Sequence, residues 1–316
     1  MSPGSAIVIV SHNSAECIED CLRSATAGND WLVVLVDNAS TDATVEIVRR
    51  VAPNIRMLLN QQNTGFAAAV NQGIKVAECE TLVLLNPDTV PAPVSVDRLR
   101  RALAPDSVGA VGGLLTKKSG SPEIGFTVRR FPTLGTALAE ILLLNRMFPR
   151  NPLNRRYRCL ELDYTRMQEV DQPAGACLAI KRKAWEDLGG FDEGFFPVWF
   201  EDVDFCRRLH SAGWRILYCP DAVFLHEGAH SVSKLSFRDR QCFWYRNMLR
   251  YFAKHHRRRE VALLRVGIVV GLLFRALLSL VGVGHSDISV GEAVRGYWDV
   301  ALRCVIKNSS VDGYRK

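Results

Sequence analysis

The chain has 316 residues, of which 48% are hydrophobic and 23% charged, and it carries a net charge of +7. This balance is typical of a globular protein and excludes a largely disordered or fibrous chain. The nine cysteines are odd in number and include no Cys-x-x-Cys pair, a pattern that favours reduced thiols over a disulfide framework or a zinc ribbon and so predicts a cytosolic compartment. The first residues lack the basic and apolar regions of a secretory signal, so no signal peptide is predicted.

Strand and helix patterns alternate through the first quarter of the chain. Apolar strand patterns at residues 6–10, 31–36, 55–59 and 81–85 are separated by helix patterns that end near residues 27, 51 and 77. Such alternation predicts a parallel sheet with helices on both faces. Polar clusters follow the strands at one edge of this sheet, which is the edge where open α/β sheets bind ligands.

The fourth strand pattern runs directly into Asn86, Pro87 and Asp88. Because a proline cannot donate to a sheet, Asp88 is expected just past the carboxyl end of a buried strand. A carboxylate in that position can hold a divalent cation against a phosphorylated ligand. The alternative interpretation is that the tripeptide only forms a turn that caps the next helix.

The sequence lacks the Gly-x-Gly-x-x-Gly pattern of a dinucleotide-binding site and has a different glycine pattern instead. Asn63, Thr64 and Gly65 open a helix pattern with an alanine-rich first turn. The backbone N–H groups of such a turn can approach a diphosphate. Alternatively, Gly65 only makes a turn and the alanines allow close packing.

Four motifs in this order, SHNS, VDNASTD, NTGFAAAVNQG and LLNPDT, together resemble the inverting family 2 glycosyltransferases of the GT-A fold, and most closely their bacterial rhamnosyltransferase-like subgroup. The resemblance covers residues 6–231. It implies a GT-A-like α/β fold with a mainly parallel central sheet in residues 1–235, divided into a donor-binding half (1–115) and an acceptor-side half (116–235). Residues 236–316 are then expected to form a helical segment that associates with a membrane.

The resemblance also implies roles for individual residues. The implied donor-binding residues are Ser11, Asp37, Gly65, Asn71, Asn86 and Asp88. Among them, Ser11 lines the base pocket, Asp37 contacts the nucleobase, and Asp88 binds a divalent metal, Mg²⁺ or Mn²⁺. Asn86 stands at the first acidic position of the family's usual Asp-x-Asp, so one carboxylate of that motif remains for the metal. The implied donor is a dTDP- or UDP-sugar, since both pyrimidines offer Asp37 the same N3 edge.

Acidic residues open a later helix pattern that ends near Gly213, with Glu201 and Asp202 at its start. The helix dipole alone favours acids in a first turn. The resemblance implies in addition that Asp202 is the catalytic base, that Glu201 belongs to the acceptor side, and that the segment 189–193 (GGFDE) shapes the acceptor site.

The pattern is looser between residues 115 and 171. This region contains Arg129 and Arg130, an apolar stretch at residues 134–148, and four further arginines up to residue 158. One interpretation is an acceptor-side flap in which the arginines contact phosphate and the apolar helix contacts lipid. The other is a solvated loop over a packed helix.

Residues 226–230, His-Glu-Gly-Ala-His, match a zinc-protease motif that requires both histidines on one helix. Residues 222–225 have a strand pattern instead, and Gly228 weakens a helix. The resemblance implies that His226 approaches the donor diphosphate and its metal. The alternatives are a structural histidine that only forms hydrogen bonds and, as a third function for the chain, a zinc hydrolase.

A basic stretch precedes an apolar run near the C-terminus. Nine Lys or Arg and one Asp lie between residues 234 and 259, and the apolar run occupies residues 261–284. Nucleic acid and anionic lipid both attract such a patch, and the apolar neighbour favours lipid, so no nucleic-acid partner is predicted. The run is long enough to span a bilayer, but a central Arg275 costs about 2.5–3.5 kcal/mol on insertion scales. We therefore expect an interfacial helix, peripheral or monotopic, on the cytoplasmic face of the plasma membrane.

The sequence thus predicts an inverting, metal-dependent glycosyltransferase. By resemblance it transfers L-rhamnose from dTDP-rhamnose to a polyprenyl-diphosphate-linked sugar in cell-wall or polysaccharide biosynthesis, with Asp202 deprotonating the acceptor hydroxyl. The alternative from a different class is a non-catalytic nucleotide-sugar-binding subunit of a membrane complex. Such a subunit keeps the motifs of the first half and needs no base at position 202.

Overall fold

The structure is a computed structural model that describes residues 4–27, 31–228, 234–281 and 288–302. The chain forms two compact units, each built from segments that are distant in sequence. Unit 1 comprises Met1–Phe131 and Arg158–Ser231, and unit 2 comprises Pro132–Tyr157 and Val232–Lys316. Residues 132–157, which the sequence analysis placed in the acceptor-side half of the first domain, therefore pack in unit 2.

The strands in the described residues all belong to unit 1. They are β1 (Ser5–Ser11), β2 (Leu32–Asp37), β3 (Arg56–Leu59), β4 (Thr81–Leu85), β5 (Thr89–Pro91), β6 (Val108–Thr116), β7 (Val128–Arg129), β8 (Gln168–Glu169), β9 (Gln172–Pro173), β10 (Cys177–Lys181) and β11 (Arg215–His226). The helices are α1 (Ile18–Ala25), α2 (Thr44–Val51), α3 (Phe66–Ala77), α4 (Ser95–Leu103), α5 (Leu134–Ile141), α6 (Leu144–Met147), α7 (Pro152–Tyr157), α8 (Arg182–Asp187), α9 (Glu201–Ser211), α10 (Phe237–His255), α11 (Arg258–Leu280) and α12 (Val290–Val300). Of these helices, α5 to α7 and α10 to α12 belong to unit 2.

Nine of the described strands form one mixed sheet in unit 1. Their order is β3-β2-β1-β4-β10-β6-β11-β5, and β8 pairs with β11. The run β3-β2-β1-β4 is parallel, as the alternating pattern predicted. The other half is mixed, because β10 is antiparallel to both its neighbours, and β5 and β8 are antiparallel to β11. β7 and β9 form a separate two-stranded sheet.

The apolar runs of β1, β2 and β4 are buried on both faces, whereas the edge strand β3 is partly exposed. Ile7 and Ile9 of β1 belong to the core cluster that also contains residues of α1 and α4. Val8 faces α3, where a Cβ at Gly73 would lie only 2.5 Å from Val8 Cγ1. With both faces covered by helices, the sheet presents its polar groups at the strand ends.

The strand β11 is longer than the predicted strand at residues 222–225. Pro220 interrupts its sequence pattern, and the structure accommodates this proline at a register shift between Cys219 and Val223 where β11 pairs with β6. The strand continues to His226, so this histidine lies at a strand end rather than on a helix. The zinc-hydrolase interpretation therefore lacks the helix that it requires at its first histidine, while His230 lies outside the described residues.

In unit 2, α5 and α11 pack closely together. Gly267 and Gly271, one turn apart on α11, lie against Leu138 and Ile141 of α5, and a Cβ at these glycines would come within 2.2 Å and 2.4 Å of those side chains. A capping box between Thr133 and its N3 residue begins α5. The packed-helix interpretation of the apolar stretch thus holds for residues 134–141.

Arg275 of α11 points into unit 2. Its Nη2 donates to the backbone carbonyls of Glu140 (3.2 Å) and Ile141 (3.3 Å). These carbonyls lie at the C-terminal end of α5, where the helix dipole stabilises a positive charge. Nη2 of this arginine, whose insertion cost favoured an interfacial helix, thus has two acceptors within unit 2. By length and composition α11 is a helix that could cross a membrane.

Most cysteines are buried thiols. Seven of those in the described residues are free and buried. Burial raises the pKa of thiols such as Cys177 and Cys206 well above the ordinary value, which suits inert core side chains. Cys242 of α10 is disulfide-bonded, which the composition did not predict.

Candidate active site

The polar residues predicted for the donor site gather at one sheet edge. Ser11 and Asp37 are register partners at the ends of β1 and β2. Leu85, the last residue of β4, pairs with Ile9, which places Asn86 at the same edge. The parallel register of these three strands thus brings together residues from three separate motifs.

The carboxylate of Asp37 is buried and oriented by two serines. Its Oδ1 accepts from Ser11 Oγ (2.9 Å) and Ser40 Oγ (2.6 Å), and its Oδ2 accepts from the backbone N–H of Ser40 (2.9 Å). A carboxylate has about four lone-pair positions, so one position on Oδ2 remains for a ligand donor. The nucleobase contact of Asp37 stays a prediction. Ser11, which was predicted to line the base pocket, donates a hydrogen bond to this carboxylate.

The turn at Gly65 is held by protein contacts. Gly65 has φ of +86°, and a Cβ there would lie 2.8 Å from Phe196 Cδ2. Its N–H donates to Asn63 Oδ1 (2.9 Å), and the N–H of Phe66 donates to the carbonyl of Pro197 (2.7 Å). Two N–H groups at this helix start are therefore used within the protein, which supports the turn-and-packing interpretation of Gly65.

Asn71 uses its whole hydrogen-bonding capacity within unit 1. Its Nδ2 donates to the Phe191 carbonyl (2.9 Å) and to Glu193 Oε1 (3.0 Å). Its Oδ1 accepts from the Phe191 N–H (2.9 Å) and from Trp185 Nε1 (3.2 Å). These four bonds hold the segment 189–193 against α3 and use the hydrogen-bonding capacity of the amide, and the donor contact of Asn71 stays a prediction.

Asp88 and His226 face each other at the carboxyl edge. The strand β5 pairs with β11 so that His226 opposes Thr89, and the Glu227 N–H donates to the Asp88 carbonyl (3.0 Å). His226 Nε2 then lies 3.9 Å from Asp88 Oδ1, and each residue is only 7% exposed. Asp88 Oδ1 has no hydrogen-bond partner in the described part of the chain.

This spacing fits two ligands of one cation. It is too long for a hydrogen bond, whereas metal–ligand bonds of about 2.0–2.2 Å place two ligands of one ion about 3–4 Å apart. Within the described residues no group of three or more His, Cys, Asp or Glu could hold a metal. Asp88 and His226 would then be the ligands of these residue types that the described part of the chain supplies to a cation, with oxygens of a bound ligand and water completing its shell.

Two residues that the sequence analysis did not identify hold the imidazole of His226. Glu123 Oε2 lies 2.9 Å from Nδ1, and the Phe126 ring stacks on the imidazole with centroids 5.1 Å apart. Both residues lie in a loop without a recognisable motif. The position of a loop over β11 is set by tertiary contacts, so no local signal in the sequence could have identified them.

Asp202 is held by backbone N–H groups. Its Oδ2 accepts from Gly175 (3.1 Å) and its Oδ1 from Val203 (2.8 Å). The carbonyl of Ala176, the residue after Gly175, accepts a hydrogen bond from the Asn86 N–H (3.0 Å). Adjacent residues of one segment therefore hold both Asp202 and the turn that carries Asp88.

The two neighbouring carboxyl groups have different environments. Burial raises the pKa of Asp202 above the ordinary value, while the N–H groups of Val203 and Gly175 and the Arg129 guanidinium lower it. Burial and the charge of Asp202 raise the pKa of Glu201 well above its ordinary value. Glu201 Oε2 is among the buried atoms of the described residues without a hydrogen-bond partner. Asp202 is thus the better solvated and better hydrogen-bonded of the two, as a base at neutral pH requires.

The two predicted acceptor-side arginines, the last residue of β7 and the residue after it, have different partners. The Arg129 guanidinium lies over the Phe126 ring at 5.1 Å and acts electrostatically on Asp202. Arg130 instead pairs with Asp171 at 3.2 Å and is largely exposed. Of the two, Arg129 is therefore the one associated with Asp202 and with the stack on His226.

Comparison with known proteins relates this chain to glycosyltransferases. Residues 6–189 match the family model described as Glycosyl transferase family 2, and residues 157–294 match the one described as Glycosyl transferase family group 2. The chain is 31% identical over 273 residues to an N-acetylglucosaminyl-diphospho-decaprenol L-rhamnosyltransferase of Mycobacterium tuberculosis, covering 78% of this chain and 87% of that protein.

A second relative and a solved structure agree with this match. The rhamnosyltransferase WbbL of Escherichia coli K12 is 23% identical over 255 residues, covering 78% of this chain and 92% of that protein. The solved structure of mannosyltransferase PcManGT from Pyrobaculum calidifontis in complex with GDP-Man and Mn²⁺ has a TM-score of 0.55 and 20% identity, covering 96% of this chain and 81% of that chain. At this identity the likeness shows a shared GT-A-like α/β fold.

Proposed function

Because the chain belongs to glycosyl transferase family 2 and to its rhamnosyltransferase-like subgroup, we propose that it is an inverting glycosyltransferase that transfers L-rhamnose from dTDP-rhamnose to a polyprenyl-diphosphate-linked sugar. The observation that carries the proposal is the shared support of Asp202 and of the Asp88 turn by Gly175 and Ala176. This segment keeps a carboxylate base and a candidate cation site at the same strand-end edge.

In this mechanism Asp202 accepts the proton of the acceptor hydroxyl. The hydroxyl oxygen attacks the anomeric carbon, and the bond to the diphosphate breaks with its electron pair leaving on the nucleoside diphosphate. A single displacement inverts the configuration and needs no covalent enzyme intermediate. The N–H groups of Gly175 and Val203 keep the carboxylate in place while it takes up the proton.

The donor end is assigned to the residues at the strand ends. The remaining lone-pair position of Asp37 accepts the N3–H of a pyrimidine base, with Ser11 and Ser40 fixing the carboxylate. A divalent cation, Mg²⁺ or Mn²⁺, held by Asp88 and His226 would neutralise charge on the departing diphosphate. The Mn²⁺ in the complex of PcManGT supports this choice of ion.

The acceptor is membrane-held in this proposal, and unit 2 provides the attachment. The outward positions of α11 form an exposed apolar face, each residue between 44% and 62% exposed: Leu263, Val266, Val270, Leu273, Leu277 and Leu280. This face is roughly 25 Å long at 1.5 Å per residue. Each large apolar side chain that leaves water contributes up to about 1.5–3 kcal/mol, and the basic residues at the start of α11 attract anionic headgroups. In this proposal the attachment is to the cytoplasmic face of the plasma membrane.

A donor screen tests the reaction. The full chain, purified in detergent, is incubated with a polyprenyl-diphosphate-linked N-acetylglucosamine acceptor and dTDP-rhamnose, UDP-sugars or GDP-mannose, and products are identified by mass and by the anomeric configuration. We expect inverted transfer from dTDP-rhamnose that EDTA abolishes and Mn²⁺ or Mg²⁺ restores. Donor binding without transfer from any donor would instead establish the non-catalytic subunit.

Vesicle flotation tests the attachment. The variant Val266→Ser/Val270→Ser/Leu277→Ser should lose flotation with anionic vesicles, whereas the matched control Leu59→Ser, an exposed apolar residue of unit 1, should keep it. Protease digestion of a C-terminal tag from each side of the vesicle distinguishes an interfacial helix from a spanning one. Equal flotation of both variants would place the attachment elsewhere.

A further inference from the structure

The loop after β6 is fixed by its own hydrogen bonds at Glu123. The Glu123 N–H donates to the Leu115 carbonyl at the end of β6 (2.9 Å). The Glu123 carbonyl in turn accepts from the N–H groups of Phe126 (3.1 Å) and Thr127 (3.0 Å), and Thr127 is 1% exposed. The backbone that carries the Glu123 side chain is therefore attached to the sheet and has little freedom to move.

This loop holds the imidazole of His226 from two directions. Glu123 Oε2 contacts Nδ1 at 2.9 Å, and the Phe126 ring covers one face of the imidazole with an interplanar angle of 13°. A carboxylate oxygen can only accept, so Nδ1 carries the proton, and in the neutral imidazole Nε2 then presents a lone pair. That lone pair belongs to the atom 3.9 Å from Asp88 Oδ1, a buried oxygen without a hydrogen-bond partner in the described residues.

We propose that Glu123 is a positioning residue, which acts through His226 to prepare Nε2 as a cation ligand beside Asp88. The contact fixes which nitrogen is protonated, and together with Phe126 it fixes the plane of the ring. It also places a second negative charge behind the imidazole, next to a cation site that has one carboxylate ligand of its own. This inference rests on the proposed role of Asp88 and His226 in holding a divalent cation.

The expected effect is on cation affinity. A carboxylate that orients a ligating histidine typically contributes 10–100-fold to metal affinity. Glu123→Ala removes the contact, and Glu123→Gln keeps an acceptor oxygen at the same reach, so Gln should restore most of the affinity that Ala loses. A role confined to folding would lower the melting temperature of Glu123→Ala and leave the Mn²⁺ affinity of the folded fraction unchanged.

The test is Mn²⁺ binding to the full chain with dTDP present, followed by electron paramagnetic resonance. We expect Glu123→Ala to bind Mn²⁺ 10–100-fold more weakly, with loss of the imidazole nitrogen coupling, and Glu123→Gln to stay within about fivefold of the wild type. Glu227→Gln is the matched control. This variant removes an equal charge at the same edge, but from a side chain that pairs with Lys118 at 2.8 Å. Its Mn²⁺ affinity should stay within about threefold of the wild type.

Two further variants separate this inference from its premise. If Asp88→Ala and His226→Ala lose Mn²⁺ while Glu123→Ala keeps wild-type affinity and nitrogen coupling, the positioning role is wrong and the cation site stands. If Asp88→Ala and His226→Ala also bind Mn²⁺ as the wild type does, the cation site itself is wrong. A fall in affinity in Glu227→Gln equal to that in Glu123→Ala would show a general charge effect and would also overturn the positioning role.

Discussion

Replacing Asp202 with Asn tests the catalytic assignment most directly, because it keeps the volume and removes the proton acceptor. In the wild type the N–H groups of Gly175 and Val203 reach different oxygens, at 3.1 Å and 2.8 Å. An asparagine offers one oxygen, so one of these N–H groups would face an NH₂ group. Leaving a buried donor unsatisfied costs about 1–3 kcal/mol.

Two magnitudes follow for this variant. The stability loss of about 1–3 kcal/mol corresponds to a fall in melting temperature of roughly 2–12 °C, at about 2–4 °C per kcal/mol for a domain of this size. The loss of a general base lowers kcat by about 10²–10⁴-fold. Donor affinity should stay within about threefold of the wild type, because the strand-end residues assigned to the donor remain in place.

The assay combines initial rates, calorimetric donor binding and thermal unfolding. Glu169→Gln serves as the control, since Glu169 is an exposed carboxylate paired with Arg215 at 3.0 Å, and its loss should leave kcat unchanged. If Asp202→Asn keeps kcat within tenfold of the wild type, Asp202 is only a helix-terminal acid and the base lies elsewhere.

Four other variants probe the rest of the site. Asp88→Ala should lose metal-dependent donor binding, measured by calorimetry with and without EDTA, because Asn86 offers no charge in its place. Arg129→Met removes a cation that lowers the pKa of Asp202; since the base acts deprotonated, the acid limb of the pH profile of kcat/KM should move to higher pH. Burial raises the pKa of Glu201, so the folded wild type keeps a proton that the unfolded chain loses above about pH 4.3. The wild type therefore loses stability as the pH rises, and the gain in melting temperature of Glu201→Gln over the wild type should increase from pH 5 to pH 8. Asn71→Ala leaves the N–H groups of Trp185 and Phe191 without their acceptor and should cost about 2–6 kcal/mol in denaturant unfolding.

Each of these expectations has a contrary result. Unchanged metal-dependent affinity in Asp88→Ala would remove this residue from the cation site. An acid limb that stays in place in Arg129→Met would mean that its guanidinium does not act on the base. A pH-independent gain in Glu201→Gln would show that Glu201 is ionised in the folded chain, and a stable Asn71→Ala with weakened donor binding would support the predicted donor contact.

The first half of the sheet was predictable because its signals are local. Each of β1, β2 and β4 is an apolar run that ends in a polar motif, and the alternation with helices specifies parallel pairing. The first half of β11 was not predicted, since Pro220 conceals a strand that continues through a register shift. The mixed pairing of β10 was also hidden, because strand direction depends on partners far away in the chain.

The candidate site was predictable where a residue belongs to a motif, and less so where its role depends on a neighbour. Asp88 and His226 were both assigned to the metal, and pairing of β5 with β11 brings them within 3.9 Å. Asn71 lies in a recognisable motif, yet its amide is saturated by a segment 120 residues further along. Glu123 acts through tertiary contacts alone, which no motif records.

The discontinuity of unit 2 has a consequence for the order of synthesis. Residues 132–157 leave the ribosome before β10 and β11 are made, while α11, which packs against α5 through Gly267 and Gly271, follows about a hundred residues later. At about 5–20 residues per second, α5 waits several seconds with its apolar side chains exposed. A truncation near residue 233 removes α11 altogether and leaves the apolar side chains of α5 without their partner helix. A catalytic fragment of unit 1 should therefore be produced by replacing residues 132–157 with a short linker as well as by removing the C-terminal helices.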